Sequence, residues 1–268
     1  EIFPKGLSLW GTSKLDAYNQ MTFIEYLKQL GRDFRIEYIH QKCQNRDYFV
    51  LSQIHKAIIV APHPDDEVLG CSGLIQRMIE NGKQVHVVIL SGGGKSHQDC
   101  CHIDESTLID SRRKLSRKAA EILGLPLNQL HFLDYPDGHI SYNNPETQHL
   151  QTLIEEISPD AIFIPHKGEG WSDHIEAGNI VREIIRTKST PIQLYEYCVW
   201  FWYYNTWNID WKNAFVLKMN QREHRIKLKA IDAYVKPLAP CGKPWSGVLP
   251  RIFVKANQWN CELYFKAD

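Results

Sequence analysis

Two short runs hold the residue types that could do chemistry. The first is Pro62-His63-Pro64-Asp65-Asp66-Glu67, and the second, far downstream, is Ser172-Asp173-His174. An imidazole nitrogen and carboxylate oxygens are the ligands expected of a catalytic zinc that keeps one coordination position open. Such a site needs three protein ligands, and His63, Asp66 and His174 can supply them if the fold brings the two runs together. Each run also has a structural reading. Asp65, Asp66 and Glu67 could simply complement a helix dipole, and Asp173 could be a helix N-cap.

The elements around these runs favour the metal reading. Lys56 to Ala61, Gln84 to Leu90, Gln129 to Leu133 and Asp160 to Pro165 are apolar runs bounded by turn residues and predict short buried strands. Helix-period segments lie between and after them: Asp66 to Glu80, Ile109 to Leu123, Thr147 to Ile157 and Asp173 to Arg186. Alternation of this kind predicts βαβ units, hence a Rossmann-like α/β fold with a mostly parallel sheet flanked by helices. In such sheets ligands bind at the carboxyl ends of the strands. Both chemical runs leave such an end, one after the first strand and one after the fourth. Residues 1 to 55 fit the alternation less well; they predict a helix over Ala17 to Leu30 and a hairpin over Phe34 to Leu51. The expected organisation is an N-terminal extension, 1–55, packed on a main domain, 56–268.

Bulk properties narrow the function classes. The chain has 268 residues, with Lys plus Arg equal to Asp plus Glu at 31 each, so charge offers no argument for nucleic acid or an anionic membrane. No apolar run approaches the roughly 20 residues of a membrane span. The seven cysteines are scattered without a CxxC and are read as mostly reduced, which points to a cytoplasmic setting. His97 and His102 flank Cys100-Cys101, but at a spacing that matches no common zinc module. Ser91-Gly92-Gly93-Gly94-Lys95-Ser96 invites a phosphate-loop reading. A Walker A motif, however, needs glycine where Ile89 stands. The aromatic run Tyr195 to Trp211 is core material by default, with the capacity to stack on a sugar ring.

The stretch Ala61-Pro62-His63-Pro64-Asp65-Asp66-Glu67 resembles the signature of the PIG-L (LmbE-like) zinc-dependent de-N-acetylases. Arg112 with Ala119-Ala120 and Leu123-Gly124 is similar to that family's second helix. Phe132 to Gly138 (FLDYPDG) and Tyr195-Glu196-Tyr197 resemble later segments. The resemblance runs from about Lys56 to the C-terminus. It implies one zinc per chain held by His63, Asp66 and His174, with Asp65 as general base and Asp173 orienting a neighbouring group. It also implies that Arg112 and Asp137 hold sugar hydroxyls or a phosphate, a surface charge being the alternative for each. His139 is a weaker candidate for the pocket rim. The implied reaction is hydrolysis of an N-acetyl group on an amino sugar or glycoconjugate, with that small molecule as partner. The rivals are a zinc amidase acting on another amide, such as a thiol conjugate, and a catalytically silent sugar-binding homologue. One position departs from the family. It commonly reads His-x-Asp-His where this chain has Trp171-Ser172-Asp173-His174, so a carbonyl-polarising histidine is replaced by an indole. Trp171 then becomes a candidate substrate contact, and His166 or Lys167 a candidate replacement.

Overall fold

A computed structural model describes residues 23–97, 102–188, 191–204 and 207–267. Cys100 and Cys101, and the part of the expected first helix before Phe23, lie outside them. The elements are α1 (Phe23–Gln44), β1 (Lys56–Ala61), α2 (Asp66–Glu80), β2 (Gln84–Ser91), α3 (Glu105–Leu123), β3 (Leu130–Tyr135) and α4 (Glu146–Ile157). There follow β4 (Ala161–Pro165), α5 (Ser172–Arg186), β5 (Gln193–Tyr197), β6 (Ala214–Lys218), α6 (Gln221–Val235), α7 (Arg251–Asn257) and β7 (Cys261–Lys266).

The strands form one sheet in the order β3-β2-β1-β4-β5-β7-β6. Strands β1 to β5 pair in parallel, while β7 runs antiparallel to both β5 and β6. The expected mostly parallel α/β sheet is therefore present, with an antiparallel edge. Alternation along β1 shows how the sheet is buried. Ala57, Ile59 and Ala61 enter the core under α2, α3 and α6, whereas Ile58 and Val60 enter the core under α4 and α5. Ile58, Ile59 and Val60 are wholly inaccessible. Burial of each contributes about 1.5–3 kcal/mol, and helices on both faces are what a continuous apolar strand requires.

The chain passes from β1 outward to β3, then returns to β4 on the other side of β1. The carboxyl ends of β1 and β4 thus border the point where strand order reverses, the place where open α/β sheets hold ligands. Helix α2 starts there after β1, and α5 starts there after β4. Ser91, at the end of β2, donates its backbone N–H to Pro62 O (2.9 Å) and ties the next loop to the same edge.

The expected hairpin over Phe34 to Leu51 is not formed; α1 runs straight through to Gln44. Phe34, Ile36 and Tyr38 alternate as a strand would. The residues that bury are instead Ile36, Ile39 and Cys43, at helical spacing. They pack with Phe201, Trp202, Val216 and Phe265 in a third apolar cluster. The buried Arg35 donates from Nη1 to Phe201 O (2.7 Å). After the helix, Phe49 donates its N–H to Val216 O (3.0 Å) at the sheet edge. Among the described residues no helix is long and apolar enough to cross a membrane.

Candidate functional site

The two sequence runs meet. Asp66 Oδ2 lies 3.5 Å from His63 Nδ1 and 3.3 Å from His174 Nε2. His63, Asp66 and His174 offer nitrogen, oxygen and nitrogen within metal-binding reach of one another. Asp66 and His174 are buried, and His63 keeps slight exposure at the cleft. A second grouping, His63 with Asp137 and Asp173, is equally compact. The partners of each carboxylate distinguish the two. Asp173 accepts N–H from Gly138 (2.7 Å) and Ile140 (3.3 Å), and Asp137 accepts N–H from Lys95 (2.8 Å). Both carboxylates also face His63 Nε2, at 3.0 and 3.2 Å. They thus hold backbone and one side of the imidazole, as Asp66 Oδ2 also does by accepting the His63 N–H (2.9 Å); the difference lies in the second imidazole. His63 Nδ1 and His174 Nε2 instead converge on Asp66.

His174 repeats the pattern. Its other nitrogen, Nδ1, lies 3.3 Å from Glu169 Oε2. Glu169 is wholly buried and accepts backbone N–H from Val199 (2.8 Å), Phe201 (3.1 Å) and Trp200. Each histidine therefore turns one nitrogen toward Asp66 and the other toward a fixed carboxylate. That is the arrangement by which carboxylates orient metal-bound imidazoles and raise their basicity. Neither ring nitrogen of the inaccessible His174 has a partner in hydrogen-bond geometry. Buried polar atoms are seldom left so. An ion bound between the imidazoles at Asp66 would supply the partner that Nε2 lacks. The donor set fits zinc with an open position.

The charges reflect this crowding. Burial opposes a charge on His63, yet hydrogen bonds to Asp137, Asp173 and Asp66 hold it well above the ordinary imidazole range. For His174 burial is likewise opposed, by Asp66 and then Glu169, and its pKa rises to about 9. Asp66 is pushed up by burial but held well below the usual carboxylate range by the two histidines. Asp66 is thus held as a carboxylate between the two imidazoles, and a cation binding there would compete with protons for them.

Asp65 stands at the turn into α2 with φ 111°, outside the ordinary range of a side-chain-bearing residue. Its carboxyl gives no cap hydrogen bond to the helix. Burial raises its pKa to about 8, against the opposing charge of Arg112. Strain of this kind persists only where surrounding contacts over-determine the backbone. Here Asp65 N–H donates to Glu67 Oε2 (3.1 Å), and Glu67 Oε1 accepts from Tyr234 OH (2.5 Å). Arg112 is 4% exposed, so it is no surface charge. Its guanidinium donates to Gly93 O (3.0 Å) and Pro64 O (2.8 Å) and lies 3.7 Å from Asp65 Oδ2. Gly93, with φ +67°, permits that approach, since a Cβ there would sit 2.1 Å from Arg112 Nη1. The glycine loop after β2 thus serves the site by holding Arg112 and, through Lys95, Asp137.

Asp173 is not the N-cap of α5; that position is Trp171, and Asp173 lies in the first turn with its carboxylate turned to His63 and to the Gly138–Ile140 loop. Trp171 is 42% exposed and stacks on Trp200 (centroids 5.3 Å, 17°), itself stacked on Phe253. His166 does not join the cluster. It is buried against Phe201 and Phe265, 3.4 Å from Glu196, beside a separate cavity of about 320 Å³ that Lys167 and Arg182 also line. His139 is exposed. Glu169 does not stand out in the sequence, and Glu67 does so only as a carboxylate that could complement the helix dipole. The signal for Glu169 is its place five residues before His174 in the same loop. Its partners, on the stretch after β5, have no local signature.

Residues 58–185 match the family model PIG-L: GlcNAc-PI de-N-acetylase. The chain carries a PIG-L domain. Diacetylchitobiose deacetylase of Thermococcus kodakarensis is 27% identical over 143 residues, 52% of each chain. The 1D-myo-inositol 2-acetamido-2-deoxy-alpha-D-glucopyranoside deacetylase of Corynebacterium diphtheriae is 25% identical over 163 residues, 51% of this chain and 54% of that one. The chain spans about half the length of these curated relatives. Among solved structures, N,N'-diacetylchitobiose deacetylase from Pyrococcus horikoshii superposes with a TM-score of 0.58 at 21% identity, over 82% of this chain and 81% of that one. That similarity establishes a shared α/β fold. The PIG-L match takes in β1 to α5, and so includes His63, Asp65, Asp66, Arg112, Asp137, Glu169, Asp173 and His174.

Proposed function

We propose that this protein is a zinc-dependent hydrolase that removes an N-acetyl group from an amino sugar or glycoconjugate. The observation that carries the proposal is the convergence of His63 Nδ1 and the buried His174 Nε2 on Asp66 Oδ2, with both ring nitrogens of His174 facing carboxylates outside hydrogen-bond geometry. The deacetylase relatives support the choice of an acetamido sugar as substrate. His63, Asp66 and His174 would hold the ion. Zinc bound there supplies a Lewis acid that polarises the amide carbonyl and lowers the pKa of water toward ~7.

The chain's own groups do the rest. Asp65 takes the proton of the attacking water and returns it to the leaving nitrogen, a task open to a carboxyl that makes no cap hydrogen bond to α2 and adjoins the ligand Asp66. Arg112 sets the position of Asp65 and, through Pro64 O, of the turn that carries it. Asp173 and Glu169 fix the two imidazoles. Arg112 Nη1 and Nη2 both donate to backbone carbonyls beside Asp65, which supports this positioning part. Asp137, half-buried beside His63, and the exposed Trp171 remain the proposed substrate contacts. Within the N-terminal extension, the described residues 23–55 are assigned to the face of the main domain, supported by the hydrogen bonds of Arg35 and Phe49 to Phe201 and Val216.

The test measures bound metal together with acetate release from a panel of N-acetylglucosaminyl conjugates, with and without a chelator. Acetate released at about one zinc per chain, and abolished by the chelator, is the expected result. Zinc without acetate from any conjugate would move the reading to another amide or to a silent sugar-binding protein. Failure to bind zinc when it is added back would overturn the metal site.

A further inference from the structure

His97, in the loop that follows β2, is 3% exposed and meets a cysteine from the segment between α6 and α7. His97 Nε2 lies 2.8 Å from Pro244 O, and Nδ1 lies 3.6 Å from Cys241 Sγ. A carbonyl oxygen can only accept, so Nε2 carries the proton and donates to it. In the neutral ring Nδ1 is then left with its lone pair, directed at the sulfur. The carbonyl of Pro244 is itself fixed, since it also accepts N–H from Gly247 (2.8 Å). The imidazole is therefore held in the tautomer that can receive a thiol proton.

The other described cysteines differ. Cys43, Cys71 and Cys198 are buried, and Cys261 is half-buried, with its thiol contact to Asn260 Oδ1 and its pKa pushed up by burial to about 11. Among the described cysteines, Cys241 combines partial exposure with an imidazole acceptor. Thiolate character and access together decide which cysteine reacts.

We propose that Cys241 is an activated thiol, with His97 as its base, and that it is the site at which hydroperoxides modify this protein. The thiol proton passes to His97 Nδ1, and the thiolate attacks one peroxide oxygen. The O–O bond breaks as the S–O bond forms. The departing hydroxide, or the alkoxide of an organic hydroperoxide, takes the proton from the imidazolium and leaves as water or alcohol. Sulfur is oxidised by two electrons to the sulfenic acid and the peroxide is reduced. His97 follows Ser96, which Gly247 approaches closely, and Lys95, whose N–H holds Asp137 against His63. The proposal is independent of the reaction assigned to that cluster.

The full chain, folded and reduced, is treated with iodoacetamide at neutral pH for a series of short times, and each cysteine is followed by peptide mass mapping. Cys241 is expected to react at least about tenfold faster than Cys261. Cys100 and Cys101 fall on a separate tryptic peptide from Cys241. His97→Gln retains an amide donor for Pro244 O but not the base. It should slow Cys241 by about fivefold or more while leaving Cys261 unchanged. Hydrogen peroxide followed by a cyclic 1,3-dione should place the adduct on Cys241 in the wild type and lose it in His97→Gln. Equal rates at Cys241 and Cys261 in the wild type would overturn the proposal without recourse to the variant. An unaltered Cys241 rate in a folded His97→Gln would overturn the part given to His97.

Discussion

Glu169→Gln removes one negative charge behind His174 with little change of shape. In the wild type Glu169 Oε2 faces His174 Nδ1 at 3.3 Å, while Oε1 accepts N–H from Val199 and Phe201. The glutamine carbonyl can still serve those two donors, but its amide group cannot accept from Trp200. Leaving one buried donor unpaired costs about 1–3 kcal/mol of stability. The larger consequence is at the metal. Loss of a carboxylate that orients a metal-binding imidazole lowers affinity about 10–100-fold, or roughly 1.4–2.7 kcal/mol. Calorimetric titration of zinc into the stripped protein, with His174→Ala as the non-binding reference, measures this directly. A melting curve of the stripped variant separates the stability term. If Glu169→Gln binds zinc as tightly as the wild type while His174→Ala does not bind, Glu169 has no part in presenting His174. The reasoning from paired carboxylates would then be wrong.

Asp65→Asn should retain zinc and lose activity by about 10²–10⁴-fold; near-normal acetate release with metal bound would remove Asp65 as the base. Gly93→Ala forces a side chain at φ +67° into the space of Arg112 Nη1. It should lower Tm by roughly 2–8 °C, from a left-handed cost of about 1–2 kcal/mol, and an unchanged melting curve would show that the loop yields freely. His166 gives an acid-sensitivity prediction away from the metal cluster. Burial first, then the charges of Lys167, Arg182 and Arg35, lower its pKa to about 3. The unfolded chain therefore binds its proton more readily. Stability from this group is complete above about pH 6.5 and is lost as pH falls toward 3, amounting to roughly 2–3 kcal/mol at pH 4.5. His166→Gln should reduce the difference in unfolding free energy between pH 7.5 and pH 4.5 by that amount, as measured with denaturant; an equal difference in both proteins would refute it.

The local features of the chain determined β1 to β4 and the metal-ligand candidates. Apolar runs broken by turn residues placed β1 and α2 at their observed bounds and β2, β3 and β4 to within two residues. Parallel strands buried on both faces must be continuous and apolar, so their pattern is local. The same alternation located the strand ends, and with them His63, Asp66 and His174. The first helix was misjudged because Phe34, Ile36 and Tyr38 satisfy a strand period while Ile36, Ile39 and Cys43 satisfy a helical one. Only a partner surface, here Phe201, Trp202 and Val216, decides which set is buried. Tertiary structure alone also turned Arg112 inward to Pro64 and Gly93. It placed Glu169 behind His174 and Cys241 beside His97, and it carried His166 away from the cluster. Each of these depends on a contact between segments remote in sequence. The residue types at either end are ordinary, and no spacing within one segment records which distant group will face it.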